Sequence, residues 1–230
     1  PDLKWEANKT FNLGMDFGFF NQRLTISPEF YINKSSNLLL SAQLPYSSGF
    51  QTMVINAGET KNVGIDLTIN SANISTKDFT WNTALTLSHN KNKVEALTGE
   101  AEQLYEAKFG FNLNTHRLAV GAPIGQFYGY VTDGLYQVSD FNYDAATKTY
   151  TLKDGIPYTG NKGNIQPGMW KFKNLDGSED NLITEEDKTV IGNASPKFYG
   201  GLNNTFTYKN FDLSIFVTFS YGNEVFNATK

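Results

Sequence analysis

The sequence predicts an all-β fold, an antiparallel transmembrane β-barrel of which six wall strands are legible. Three observations predict it. Stretches of about ten residues alternate between apolar and small or polar side chains, their connections are alternately very short and very long, and aromatic residues gather near the strand ends.

The first wall strand is expected at about 11–20, where Phe11, Leu13, Met15, Phe17 and Phe19 fall on one face and Asn12, Gly14, Asp16 and Gly18 on the other. Successive strand side chains point to opposite faces, so this is a two-sided ribbon. The second, at about 23–33, sets Leu24, Ile26, Phe30 and Ile32 against Arg23, Thr25, Ser27 and Glu29. A third at about 61–70 opposes Val63, Ile65, Leu67 and Ile69 to Asn62, Gly64, Asp66 and Thr68. A fourth at about 79–90 opposes Phe79, Trp81, Leu85 and Leu87 to Thr80, Asn82, Thr86 and Ser88. The last pair, at about 198–208 and 211–221, alternates most clearly, with Phe198, Leu202, Phe206 and Tyr208 and then Phe211, Leu213, Ile215, Val217 and Phe219 on the apolar face. Phe216 is the one breach of the pattern there.

Alternation by itself also suits a soluble sheet with one buried face. Strand length separates the two. Ten residues rising ~3.3 Å each and tilted by about 45° span roughly 23 Å of membrane normal, close to the apolar band of an outer-membrane barrel, whereas soluble strands usually stop near five or six residues. The pairs turn at Asn21 and Gln22, at about 71–77, and at Lys209 and Asn210. Between them lie 34–60 and a long external insertion at about 91–196, the rhythm of short periplasmic turns and long outer loops. Within the insertion 127–136 and 168–173 read as strands, and parity allows them one extra hairpin in the wall or a place inside the loop. The loop is favoured, because crossing would leave 137–167 as a long periplasmic connection.

Composition fits such a wall. Hydrophobic residues make up 40% and aromatics 14%, and the mean hydropathy of −0.39 excludes a bundle of apolar helices. A barrel needs no continuous apolar run, since only one face of each strand meets lipid while backbone groups pair between strands. Trp5, Phe19, Phe20, Phe30, Tyr31, Phe79, Trp81, Tyr208, Phe211, Phe219 and Tyr221 lie where interfacial girdles belong. The net charge of −4 and only two arginines, Arg23 and Arg117, argue against nucleic acid. Without cysteine there is no disulfide and no thiolate nucleophile. Six strands fall short of the eight that the smallest barrels need, and Pro1 follows no signal peptide, so the chain is expected to be part of a longer protein.

Five segments carry a family resemblance: NVGID at 62–66, WNTAL at 81–85, GAPIGQFYGY at 121–130, the acidic run 176–187, and IGNASPK at 191–197. A sixth, GGLNNTFTYKNFDLSI at 200–215 followed by YGN at 221–223, is the most specific. With these the chain resembles the later part of the barrel of SusC/RagA-family TonB-dependent transporters. The resemblance implies a plugged barrel of the roughly 22-stranded class, missing here its plug, its first strands and its last strand. It also implies a place in the bacterial outer membrane, import of oligosaccharides or peptides powered through TonB, and a SusD-like surface lipoprotein as lid. A passive porin and a soluble carbohydrate-binding or adhesin β-domain are the competing classes at this point.

Two candidate sites stand out. The aromatics Phe127, Tyr128, Tyr130 and Tyr136, with His116 and Arg117, are candidates for contact with substrate or partner. The run 176–187 matches the oxygen spacing of an EF-hand-type calcium loop, with Asp176, Ser178 and Asp180 at positions one, three and five. The Leu182 carbonyl, Thr184 and Asp187 fall at seven, nine and twelve, and Ile183 takes the apolar eighth position. Asn181 replaces the usual sixth-position glycine, and Asp187 replaces the longer glutamate. These carboxylates have no accompanying base-and-nucleophile set, so no enzyme is expected.

Overall fold

The computed structural model describes residues 3–43, 49, 52–97, 102–106 and 114–227. The chain divides into two units, one of residues 1–105, 117–126 and 193–230, the other of residues 106–116 and 127–192.

The first unit carries the wall. Its strands are β1 (Ala7–Gly14), β2 (Phe17–Phe19), β3 (Leu24–Gln43), β4 (Thr52–Ser75) and β5 (Phe79–Leu97). After the insertion, which holds the short strands β6 (Glu102–Glu106) to β15 (Thr189–Asn193), come β16 (Phe198–Tyr208) and β17 (Phe211–Tyr221). The wall sheet runs in the order β1-β3-β4-β5-β16-β17, with β2 also paired to β3, and the pairings are antiparallel. None of β6 to β15 belongs to it.

Register sorts the two faces. Ile26, Ile69, Leu85, Leu202 and Val217 stand opposite one another across five strands, and so share one face of the sheet. On the same face Leu213, Ile215 and Val217 remain 56%, 48% and 49% exposed. Among the described residues of this unit the buried hydrophobic ones are Val94 and Ala119, where segment 117–126 bonds back to β5 through Val94 and Ala122. A sheet that leaves its apolar face bare needs an apolar solvent.

The ladder corrects three boundaries. The first strand is interrupted at Met15 and Asp16, opposite Pro28, which has no N–H to give the ladder. Met15 N instead bonds Pro28 O at 3.1 Å, and Ser27 Oγ donates to Asp16 at 2.6 Å. β3 and β4 continue far into the expected 34–60 loop, pairing out to Gln43 and Thr52, while part of that loop lies outside the described residues. β5 likewise runs on through Leu97, inside the expected 91–196 insertion. The alternation ends earlier because strands beyond the membrane band have no lipid to meet. Asn37, in the left-handed region at φ 58°, lies where the β3–β4 register shifts.

The second unit has its own small core. It contains β9 (Thr132–Leu135), β10 (Phe141–Asp144), β11 (Thr149–Leu152), β12 (Tyr158–Thr159), β13 (Trp170–Phe172) and β14 (Leu182–Ile183). β9 pairs with β13, β10 with β11 and β12 with β14. Tyr136, Phe141, Leu152 and Ile165 are buried together, with Tyr150, Ile156 and Tyr158 packed on them.

Candidate functional site

Opposite the apolar face, the wall presents amides and hydroxyls. Thr10, Asn12, Glu29, Tyr31, Asn33, Asn62 and Asn90 line one open pocket on that face. They converge because directly opposed residues share a face: Asn12 stands against Tyr31, Asn33 against Asn62, and Gly64 against both Tyr31 and Asn90. The missing side chain of Gly64 is what gives the Tyr31 ring room. The Oδ1 atoms of Asn33 and Asn90 are buried and without a hydrogen-bond partner among the described residues. Nearer the short turns, Arg23, Asn70, Asn82, Asn203 and Thr205 line a second polar pocket. There the Arg23 guanidinium donates to the carbonyls of Ala72 (3.1 Å) and Asn73 (3.0 Å). The sequence carried this surface as the polar phase of each strand, but no spacing rule joins residues on four separate strands.

The expected aromatic contacts are divided. In the second unit Tyr136 is 2% exposed and donates its hydroxyl to Pro157 O at 2.7 Å, so it serves the core. Phe127 is buried with the His116 ring edge-on at 5.3 Å, and Thr115 Oγ1 lies 2.9 Å from His116 Nδ1. Tyr130 packs on Phe172 at 5.5 Å, carries the Lys188 ammonium 5.1 Å from its ring centroid, and donates to Glu185 at 3.2 Å. Burial, then the charge of Glu185, pushes the Tyr130 hydroxyl up to about 12. Tyr128 is half-buried; Arg117, also half-buried, belongs to the wall unit.

The acidic loop keeps two features of a calcium loop. Asn181 adopts the left-handed conformation, φ 58°, that the sixth position needs, and Ile183 is buried at the eighth. Its closing residue does something else. Asp187 is fully buried; Oδ1 accepts from the amides of Leu175 (2.6 Å) and Asp176 (3.2 Å), and Oδ2 from the amide of Thr184 (2.7 Å). Burial raises its pKa, but those three amides outweigh burial and hold it below the ordinary aspartate value. Asp176 accepts from Ser178 N, and Asp180 Oδ1 from Ser178 Oγ and Leu182 N. Among the described residues no three His, Cys, Asp or Glu side chains converge as metal ligands. The loop fits calcium in backbone and spacing; its twelfth-position carboxylate, turned to amides, does not.

One face bare and apolar and the other polar across long antiparallel strands define this chain as a stretch of outer-membrane β-barrel wall. The family model described as "TonB dependent receptor-like, beta-barrel" matches residues 1–229, and the chain belongs to that family. It is 37% identical over 230 residues to TonB-dependent receptor P3 of Formosa agariphila, covering 99% of this chain and 22% of that protein. To TonB-dependent receptor SusC of Bacteroides thetaiotaomicron it is 31% identical over 232 residues, covering 98% of this chain and 20% of SusC. Among solved structures it resembles the RagAB peptide transporter, with a TM-score of 0.68 and 22% identity over 96% of this chain and 22% of that one. The chain therefore spans about a fifth of the relatives it matches. The family resemblance and the antiparallel transmembrane β-barrel fold expected from the sequence hold, as does the outer-membrane location.

Proposed function

We propose that this chain forms part of the wall of a TonB-dependent importer that takes oligosaccharides or peptides across the outer membrane beneath a SusD-like lipoprotein lid. The observation that carries the reading is the amide-rich inner face, on which Thr10, Asn12, Tyr31, Asn33, Asn62 and Asn90 line one open pocket. Oligosaccharides and peptides both present dense donors and acceptors, which a surface of amides and hydroxyls can meet. Membership of the TonB-dependent family supports energised transport rather than passive diffusion. A deletion strain complemented with the intact gene tests it. Restored growth on one oligosaccharide or peptide pool, abolished when TonB is inactivated, is the expected result; growth independent of TonB contradicts it. Isolation of the intact protein from its native membrane without a second subunit removes the lid from the proposal.

Calcium is a further part of the proposal and rests on oxygen spacing. Asp176, Ser178, Asp180 and Thr184 line one open pocket. An ion there lacks Asp187 unless that carboxylate leaves its amides, so the affinity expected is no better than the order of 10⁻⁴–10⁻³ M. Calorimetric titration of the intact protein should show calcium heat that Asp176→Asn with Asp180→Asn abolishes. No heat up to about 10 mM rules it out.

A further inference from the structure

We propose that a row of lysines on the outward face of the wall binds the phosphates of membrane lipid headgroups at the outer edge of the apolar band. Lys9 on β1 stands directly opposite Lys34 on β3, Lys34 opposite Lys61 on β4, and Lys61 opposite Lys93 on β5. Opposed residues share a face with Cα atoms about 4.5–5.5 Å apart. Four ammonium-bearing side chains thus leave the sheet side by side. Like charges so placed destabilise an antiparallel pair, and the arrangement requires anions.

The chain supplies two of them, both to one lysine. Lys34 Nζ lies 2.9 Å from Glu59 and 3.2 Å from Glu95. Among the described residues no ion pair or hydrogen bond engages the ammonium groups of Lys9, Lys61, Lys91 or Lys93. Five lysines against two glutamates leave the patch cationic on a chain whose net charge is −4, so general basicity does not explain it.

Position names the anion. One row nearer the short turns the same face carries Phe11, Ile32 and Val63 with Lys91, and the next carries Leu13, Phe30 and Ile65 with His89. The lysines therefore begin where the apolar band ends. On β5 the polar boundary comes one row earlier, at Lys91 opposite Val63. A cation row at that depth, facing away from the lumen, meets lipid headgroups, and lysine binds phosphate as a point charge.

The inference rests on the outward orientation of this wall in the membrane. Its test uses the intact transporter in mild detergent, titrated with diphosphorylated lipid A and followed by native mass spectrometry. Wild type should retain the lipid. The variant K9Q/K61Q/K91Q/K93Q should lose at least about ten-fold in affinity, on a scale of roughly five-fold per lysine. The milder K61Q/K91Q should lose part of it, while K77Q/K209Q, at the short-turn rim, should bind as wild type. Dephosphorylated lipid A should bind weakly and inorganic phosphate should fail to compete. Unchanged affinity in both outward-face variants, or equal binding of the dephosphorylated lipid, overturns the proposal, and competition by inorganic phosphate at equal concentration overturns the choice of a lipid. A protein that stays dispersed without detergent instead overturns the membrane orientation itself.

Discussion

Tyr31 lies across Gly64 on the inner face of the wall: the two are opposed in the β3–β4 ladder, and a Cβ at Gly64 would stand 2.2 Å from the tyrosine Cζ. The obstacle is the far end of a side chain, so Gly64→Ala displaces a ring rather than a strand. Gly200 differs, because its Cβ would meet the Thr86 carbonyl oxygen at 2.1 Å and the backbones of β16 and β5 would have to part. Gly64→Ala should cost under about 1 kcal/mol and Gly200→Ala about 1–3 kcal/mol in a denaturant refolding titration of the intact barrel. Equal costs would show that the ring at Gly64 cannot yield.

Asn204 should be the costliest polar residue on the lipid-facing side. Its Oδ1 accepts from Trp81 Nε1 at 3.0 Å and Thr83 Oγ1 at 2.7 Å, and Thr83 accepts in turn from Asn73 at 2.7 Å. With no water to replace them, the freed donors stay unmet. Asn204→Ala should destabilise the barrel by about 1–3 kcal/mol, and adding Trp81→Phe should cost less than the single effects combined. Simple additivity would mean the two side chains act independently.

Acid should loosen the 176–187 loop through Asp187. The pKa of this residue is lowered in the fold, so its contribution is complete above the ordinary aspartate value, 3.8, and is lost as pH falls through the lower folded value. Asp187→Asn keeps the volume but replaces one acceptor with a donor that faces an amide. It should cost about 1–3 kcal/mol locally, read as faster hydrogen exchange at Leu175, Asp176 and Thr184 at neutral pH. Wild-type exchange rates in the variant would show that the amides are held by something else.

Tyr136 gives a companion test of core against contact surface. Tyr136→Phe removes the hydroxyl bond to Pro157 O and nothing of the ring. The cost should be about 0.5–1.5 kcal/mol in the second unit's hydrogen exchange, with the uptake proposed for the intact protein unchanged. Lost uptake without lost protection would return this residue to a contact role.

The wall was readable because lipid imposes the same two-residue period on every strand, so Leu213, Ile215 and Val217 announce their face without knowledge of their neighbours. The polar ends of β3, β4 and β5 were not, since backbone pairing beyond the membrane leaves no mark on side-chain polarity. Nor was the break before Phe17, which depends on Pro28 across the ladder. At the acidic loop the spacing located Asn181 and Ile183 correctly in conformation and burial. It was silent on Asp187, because oxygen spacing describes a carboxylate offered to a metal and one offered to amides in the same way. The lysine row depends on register alone, invisible until Lys9, Lys34, Lys61 and Lys93 are aligned.

The central claim is that one face of this sheet meets lipid and the other does not. Ile215 and Ser214 are adjacent on β17; Ile215 lies 48% exposed on the apolar face, while Ser214 donates to Asn203 at 3.0 Å on the other. The most direct measurement is the refolding free energy of the intact barrel in lipid vesicles with Ile215→Arg and, separately, with Ser214→Arg. A cost of about 2–4 kcal/mol for Ile215→Arg, with a far smaller one for Ser214→Arg, is the expected result. Equal costs at the two positions would contradict it.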